Sequence, residues 1–446
     1  MIVETVTIGH VGAEGDGIAS ADDGGTLYVP NTLPGEIVQV ERQRRQGVGW
    51  LARGVAIESA SEARITPPCM HFGECGGCVL QHWRDAEYLA WKTGLLASAL
   101  RRAGFAEPSI DPIVVTPPYS RRRMDLAASR TPDGVMVGLH SRLTPPAKRA
   151  RSGRAAPGGK GRPSPASLCD ITECHVLHPS LFNLVSPLRV LLARLQAVRR
   201  DASIVANLLS DGVDLLLRSD AALSPSDRSI LVTFARTQRL LRISWAMMRG
   251  EPEPVVVLEQ PRITLSGVAV EPPPGAFLQA SAEGEAAIAE AVTSGLPENL
   301  PARASVAELY AGCGTLTFAL SRRARVSAWE GDNAAVSALR HAANHTGLTG
   351  RIVTARRDLA RQPLLAADFA RFAAIILDPP FAGAAAQIGQ VAMAKPPSVI
   401  YVSCNPAVLA RDARRLRDVG YELVRATPID QFVWSARLES VSVFHR

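Results

Sequence analysis

Apolar and polar residues alternate along the first sixty positions, as in Val3-Glu4-Thr5-Val6-Thr7-Ile8 and Glu36-Ile37-Val38-Gln39-Val40. A period of two belongs to strands buried on one face. Turns at Gly15-Asp16-Gly17, Asp23-Gly24-Gly25 and Pro34-Gly35 cut the stretch into short pieces, which predicts a small OB-like antiparallel barrel over residues 1–60. The period then changes. Over residues 83–103, Tyr88, Trp91, Leu95, Leu96 and Leu100 recur at helical spacing and predict a packed helix. Alternation returns over 113–143 with Met124, Leu126 and Ala128, and residues 179–258 mix helical stretches with strands near 203–209, 212–218, 240–245 and 255–259. These predict an α+β middle domain across 61–262. From Ser305 onward, short apolar runs ending in glycine or an acid alternate with helices, predicting a doubly wound α/β domain over 263–446. The expected fold is multidomain α/β, with a Rossmann-like last domain.

The 446 residues contain no apolar run long enough to span a bilayer and no basic-then-apolar leader, so a cytoplasmic monomer is expected. The net charge of +7 is uneven: residues 118–165 hold eleven Lys and Arg against Asp125 and Asp133. Such a patch predicts a polyanion partner, RNA being the usual one. Within it, the Pro, Gly, Ser and Arg bias of residues 145–167 predicts a disordered excursion.

Seven cysteines suit a reducing compartment with metal-binding or catalytic thiols better than a disulfide framework. Cys69, Cys75 and Cys78 are spaced C-x5-C-x2-C in a glycine-rich loop, and Cys174 is the natural fourth thiol, with Cys169 as competitor. Four thiolates suit tetrahedral zinc or a four-iron four-sulfur cluster, and spacing does not choose between them.

The last domain carries a cofactor pattern. The strand 306–310 ends at Tyr310 and runs into Ala311-Gly312-Cys313-Gly314-Thr315, where glycine lets a ligand lie across the strand end. The second strand ends in Glu330, placed to accept from two ribose hydroxyls, and the third leads to Asp358, suited to an adenine amine. A fourth strand ends Leu377-Asp378-Pro379-Pro380. The turn lacks the third glycine of dinucleotide oxidoreductases, and the set resembles a class I S-adenosylmethionine-dependent methyltransferase. A further strand, stopped by Ser403-Cys404-Asn405-Pro406, lifts Cys404 to the same sheet edge.

Carbon 5 of uracil attacks a sulfonium methyl group only after a thiolate has added at carbon 6, and a base must then remove the carbon 5 proton. Cys404 suits the first role and Glu439 the second. The barrel phrase Gly12-Ala13-Glu14-Gly15-Asp16-Gly17, the cysteine loop, Gly275-Ala276-Phe277-Leu278-Gln279, the glycine turn, Asp-Pro-Pro and Ser-Cys-Asn-Pro together resemble the TRAM-domain RNA uracil-5-methyltransferase family over almost the whole chain. The resemblance implies a four-iron four-sulfur cluster rather than zinc, and cofactor contacts from Gln279, Tyr310, Glu330 and Asp358, and from Asp378 besides. It also implies Cys404 as nucleophile, Glu439 as base, and 5-methyluridine in rRNA, or less readily tRNA, as product. RNA is expected on the barrel through Arg42, Arg44 and Arg45, on the middle domain and on the basic segment. The same resemblance implies that helix 83–103 packs on the catalytic domain.

Three positions depart from the family: Phe381 stands for Arg after Asp-Pro-Pro, Arg437 for His two residues before the base, and Thr315 for Asn. Asp378-Pro379-Pro380-Phe381 also approaches the motif by which amino-methyltransferases hold an exocyclic amine, an alternative in which Cys404 is structural. A noncatalytic iron-sulfur RNA-binding module is the remaining alternative. The uracil reading is preferred because its rivals use neither Cys404 nor Glu439.

Overall fold

The computed structural model describes residues 3–141, 168–301 and 303–446. The excursion expected over 145–167 lies outside them. The N-terminal alternation forms a six-stranded sheet in which Val3–Thr7 pairs antiparallel with Ile37–Gln46, itself paired with Gly49–Ser59. Its inward positions Val6, Ile8, Leu27, Val29, Val38 and Val40 make one core. The Pro34-Gly35 turn sets Glu36 inside, where its carboxylate accepts from Leu33 N–H and from Nε and Nη2 of Arg64. Arg42, expected on RNA, is ion-paired with Glu4 at 2.6 Å and Asp23 at 2.7 Å, and Arg45 lies over Trp50.

The middle domain is a seven-stranded sheet centred on Asp201–Leu208, flanked by Arg123–Thr131 and Val213–Ser219, with Leu168–Asp170 and Glu253–Val257 at its edges. Helices Val185–Arg194 and Pro225–Gln238 contribute Leu188, Leu192, Leu231 and Ala235 to its core. The described arginines of the basic segment meet partners within this domain and in the catalytic domain. Arg122 pairs with Glu285 and donates to Gln279 O, and Arg123 stacks on Phe277. Arg121 donates to Arg123 O, and Arg130 gathers the carbonyls of Leu192, Ala193, Leu195 and Val198 at a helix end. Charge counting does not show such partners; the basic residues of the segment from Arg142 to Arg162 lie outside the described chain.

The catalytic sheet has eight strands. Ile352–Arg356, Arg325–Glu330, Ser305–Leu309, Ala374–Leu377 and Ser398–Ser403 run parallel in that spatial order. Glu439–His445 follows antiparallel, then Glu422–Asp430, and Val114–Val115 completes the edge. The chain moves outward from Ser305–Leu309 to one side and returns to continue on the other, so a crevice opens between that strand and Ala374–Leu377 at their C-terminal ends. Helix Asp85–Ala103 buries Leu96, Leu100 and Ala103 in this domain and lies against Pro406–Arg417. Among the described residues no helix is long and apolar enough to cross a membrane.

Candidate active site

The residues expected to hold the cofactor lie around this crevice. Tyr310 and Gly312 have φ of 68° and 55°, and Gly314 has 103°. At Gly314 a Cβ would lie 2.6 Å from Leu339 Cδ1 and from Phe318 Cε2, so both conformation and packing require glycine. Helix Thr315–Ser321 begins there, with Gly314 as its N-cap. Glu330, at its strand end, accepts from Gly312 N–H at 2.9 Å and from Gly331 and Asp332 N–H at 2.6 and 2.8 Å. The same acid therefore shapes the glycine turn. Asp358 caps its own loop through Ala360 and Arg361 N–H and is more exposed, at the rim. Beneath the turn, Glu308 is fully buried, its Oε2 has no partner, and burial pushes its carboxyl up to about 8. The sequence reading passed over Glu308 as a strand residue, although an acid in an apolar strand was the signal.

Cys404 stands at the next strand end. Ser403 Oγ accepts from Asn405 N–H, Asn405 Oδ1 caps the following helix at Ala407 and Val408, and Pro406 opens that helix. This turn presents Cys404, half-buried. Antiparallel pairing of Ser403 with Ser440 brings Glu439 beside it, a juxtaposition that no sequence spacing contains. Burial, then Glu439 and Asp378, push the Cys404 thiol up to about 12, with Arg437 acting in the opposite sense. Burial and Asp378 push Glu439 up to about 8; burial and Glu330 push Asp378 up to about 7.

Two amides connect the acids. Gln431 Nε2 donates to Glu439 Oε2 and to Gln279 Oε1, both at 2.9 Å, while its Oε1 accepts from Ala280 N–H at 3.0 Å. Gln279 Nε2 in turn approaches Asp378 Oδ2 at 3.4 Å. Gln431 was not among the predicted site residues; only the strand pairing reveals it. The turn between Asp430 and Glu439 is held from three sides. Asp430 accepts from Tyr88 Oη at 2.7 Å and is ion-paired with the fully buried Lys92. Trp434 O accepts from Val79 and Leu80 N–H of the cysteine loop, and Arg437 pairs with Glu14 of the barrel. Arg437 also lies over the Phe381 ring at 4.6 Å, so two of the three departures from the family pattern meet in space.

Cys69, Cys75, Cys78 and Cys174 line one cavity of about 370 Å³ that reaches Phe432 and Arg437. Cys169 lies instead in the middle-domain core, 3.8 Å from His71 Nδ1. Burial pushes Cys69 and Cys75 up to about 11 and Cys78 up to about 12. The thiols stand around the cavity without converging: among the described residues no three His, Cys, Asp or Glu side chains are close enough to share one metal ion.

A parallel sheet with a glycine turn at its switch point, acids on successive strand ends and an N-terminal barrel define a class I methyltransferase carrying an RNA-binding module. A family model described as TRAM domain matches residues 3–41, and one described as Conserved hypothetical protein 95 matches 289–412. The chain is 36% identical over 440 residues to an RNA methyltransferase of Mesorhizobium japonicum, covering 99% of this chain and 97% of that one. It is 31% identical over 457 residues to the 23S rRNA (uracil(1939)-C(5))-methyltransferase RlmD of Chromohalobacter salexigens, covering 99% and 89%. The crystal structure of Pyrococcus abyssi tRNA (uracil-54, C5)-methyltransferase with S-adenosyl-L-homocysteine shares its fold, with a TM-score of 0.71 at 20% identity over 99% of both chains. The chain belongs to the TRAM-domain RNA uracil-5-methyltransferase family and is an S-adenosylmethionine-dependent RNA methyltransferase.

Proposed function

We propose that the protein methylates carbon 5 of a uridine in structured RNA through a covalent adduct on Cys404. One observation carries the reading: Cys404 and Glu439 lie on neighbouring strand ends, with the base oriented by Gln431. The Cys404 thiolate adds to carbon 6, and the carbon 5–carbon 6 electron pair moves onto the carbon 4 carbonyl as an enolate. S-adenosylmethionine, held by Gln279, Tyr310, Gly312, Gly314, Thr315, Glu330, Asp358 and Asp378, supplies the methyl group that carbon 5 takes. Glu439 then removes the carbon 5 proton, the ring double bond re-forms and the thiolate leaves. Cys404 rests as a neutral thiol under the pressure of burial and two acids, so substrate binding has to accompany loss of its proton.

Ribosomal RNA is the preferred substrate class, a choice supported by the name of the Chromohalobacter relative. The reading extends to a four-iron four-sulfur cluster on Cys69, Cys75, Cys78 and Cys174, supported by the C-x5-C-x2-C spacing and by the one cavity that all four thiols line. Its role here is to hold the loop that donates to Trp434. The amine-methylating alternative uses neither Cys404 nor Glu439, which the pairing of the last two strand ends brings side by side.

Incubation with 5-fluorouridine-containing RNA and S-adenosylmethionine is expected to trap a covalent complex, because fluorine at carbon 5 blocks proton removal. Persistence of that complex in Cys404→Ala would overturn the assignment.

A further inference from the structure

Phe381 follows the Asp378-Pro379-Pro380 turn at the mouth of the site, yet the residue is 48% exposed. Its carbonyl accepts from Asn405 Nδ2 at 3.2 Å, which roots it one residue from Cys404, and Gly383 N–H closes the turn on Pro380 O at 2.7 Å. The Arg437 guanidinium covers one face at 4.6 Å and is steadied by Glu14 Oε2 at 3.4 Å, while its own side chain stays 44% exposed. An aromatic ring fixed by its backbone, stacked with a planar cation and open to solvent beside a nucleophile has the composition of a base-stacking site, because every nucleobase offers a π face. Attack at carbon 6 requires the target base to leave its stack, which uncovers the face of its neighbour.

We propose that the stacked Phe381–Arg437 pair is the platform on which the nucleobase adjoining the target uridine stacks. The inference rests on the RNA-methylation reading and adds its strand contact. The ion pair with Glu14 joins the platform to the barrel, so that barrel and catalytic domain offer one continuous track to a single strand.

The test measures binding without chemistry. Full-length protein saturated with S-adenosylhomocysteine is titrated, by fluorescence anisotropy, with an oligouridylate carrying one central 5-fluorouridine and with the same oligomer bearing abasic sugars on both sides of it. Wild type is expected to prefer the fully based oligomer. Phe381→Ala should weaken its binding by roughly tenfold, leave the abasic-flanked oligomer unchanged and so erase the preference. Phe381→Trp should retain the preference, and Arg437→Met should reduce it. S-adenosylhomocysteine affinity serves as the control for folding. Equal binding of the two oligomers by wild type, or an undiminished preference in Phe381→Ala, would overturn the platform. Adduct formation is scored separately on addition of S-adenosylmethionine: no adduct in wild type removes the uracil-5 reading and leaves the stacking result readable.

Discussion

Gln431 donates to Glu439 at 2.9 Å from a side chain whose remaining amide atoms are all engaged, so the carboxylate is oriented by a group that cannot rotate away without breaking two other hydrogen bonds. Gln431→Leu keeps the volume and removes the orientation. Turnover is expected to fall about tenfold, a part of the roughly 10²–10⁴ that a positioned base contributes. Single-turnover assays should show protein–RNA adduct accumulating after methyl transfer.

Glu439→Gln should go further and stall after methylation, leaving protein attached to natural RNA. Gel mobility under denaturing conditions checks it; free turnover would remove Glu439 from the role of base.

The same carboxyl makes a pH prediction. Its folded value of about 8 lies above its ordinary 4.5, so as pH rises from 4.5 the unfolded chain ionises first and the folded state loses relative stability until about pH 8. Glu439→Gln removes that loss. Its melting-temperature gain over wild type should be absent at pH 4, grow between pH 4.5 and 8, and level off above. Proton abstraction requires the ionised form, so turnover should rise toward pH 8.

Lys92 and Asp430 form a fully buried ion pair that supports the turn bearing Gln431. Lys92→Met leaves Asp430 buried with Tyr88 as its remaining side-chain partner, and a loss of about 3–5 kcal/mol is expected in denaturant unfolding.

Cys78→Ser should lower iron and acid-labile sulfide content and the absorbance of the purified protein. Because Val79 and Leu80 donate to Trp434 O, protease cleavage within residues 431–438 should accelerate in parallel. Zinc without sulfide in wild type would overturn the cluster.

What the sequence by itself determined is local. Alternation marked the barrel strands because a strand has two faces, and glycines with positive φ marked the cofactor turn because other residues resist that conformation. Acids at strand ends marked the crevice, since an apolar strand stopping in a carboxylate is a legible break. What only the tertiary structure decided is who meets whom. Gln431 reaches Glu439 across one hairpin and Gln279 from a distant segment, and Arg437 reaches Phe381 from another. Charge over 118–165 is visible in the sequence, but the pairing of Arg122 with Glu285 and the carbonyls around Arg130 are not. Strand order and register set those distances, and they arise from burying both faces of one sheet, a condition satisfied by the whole chain and by none of its segments.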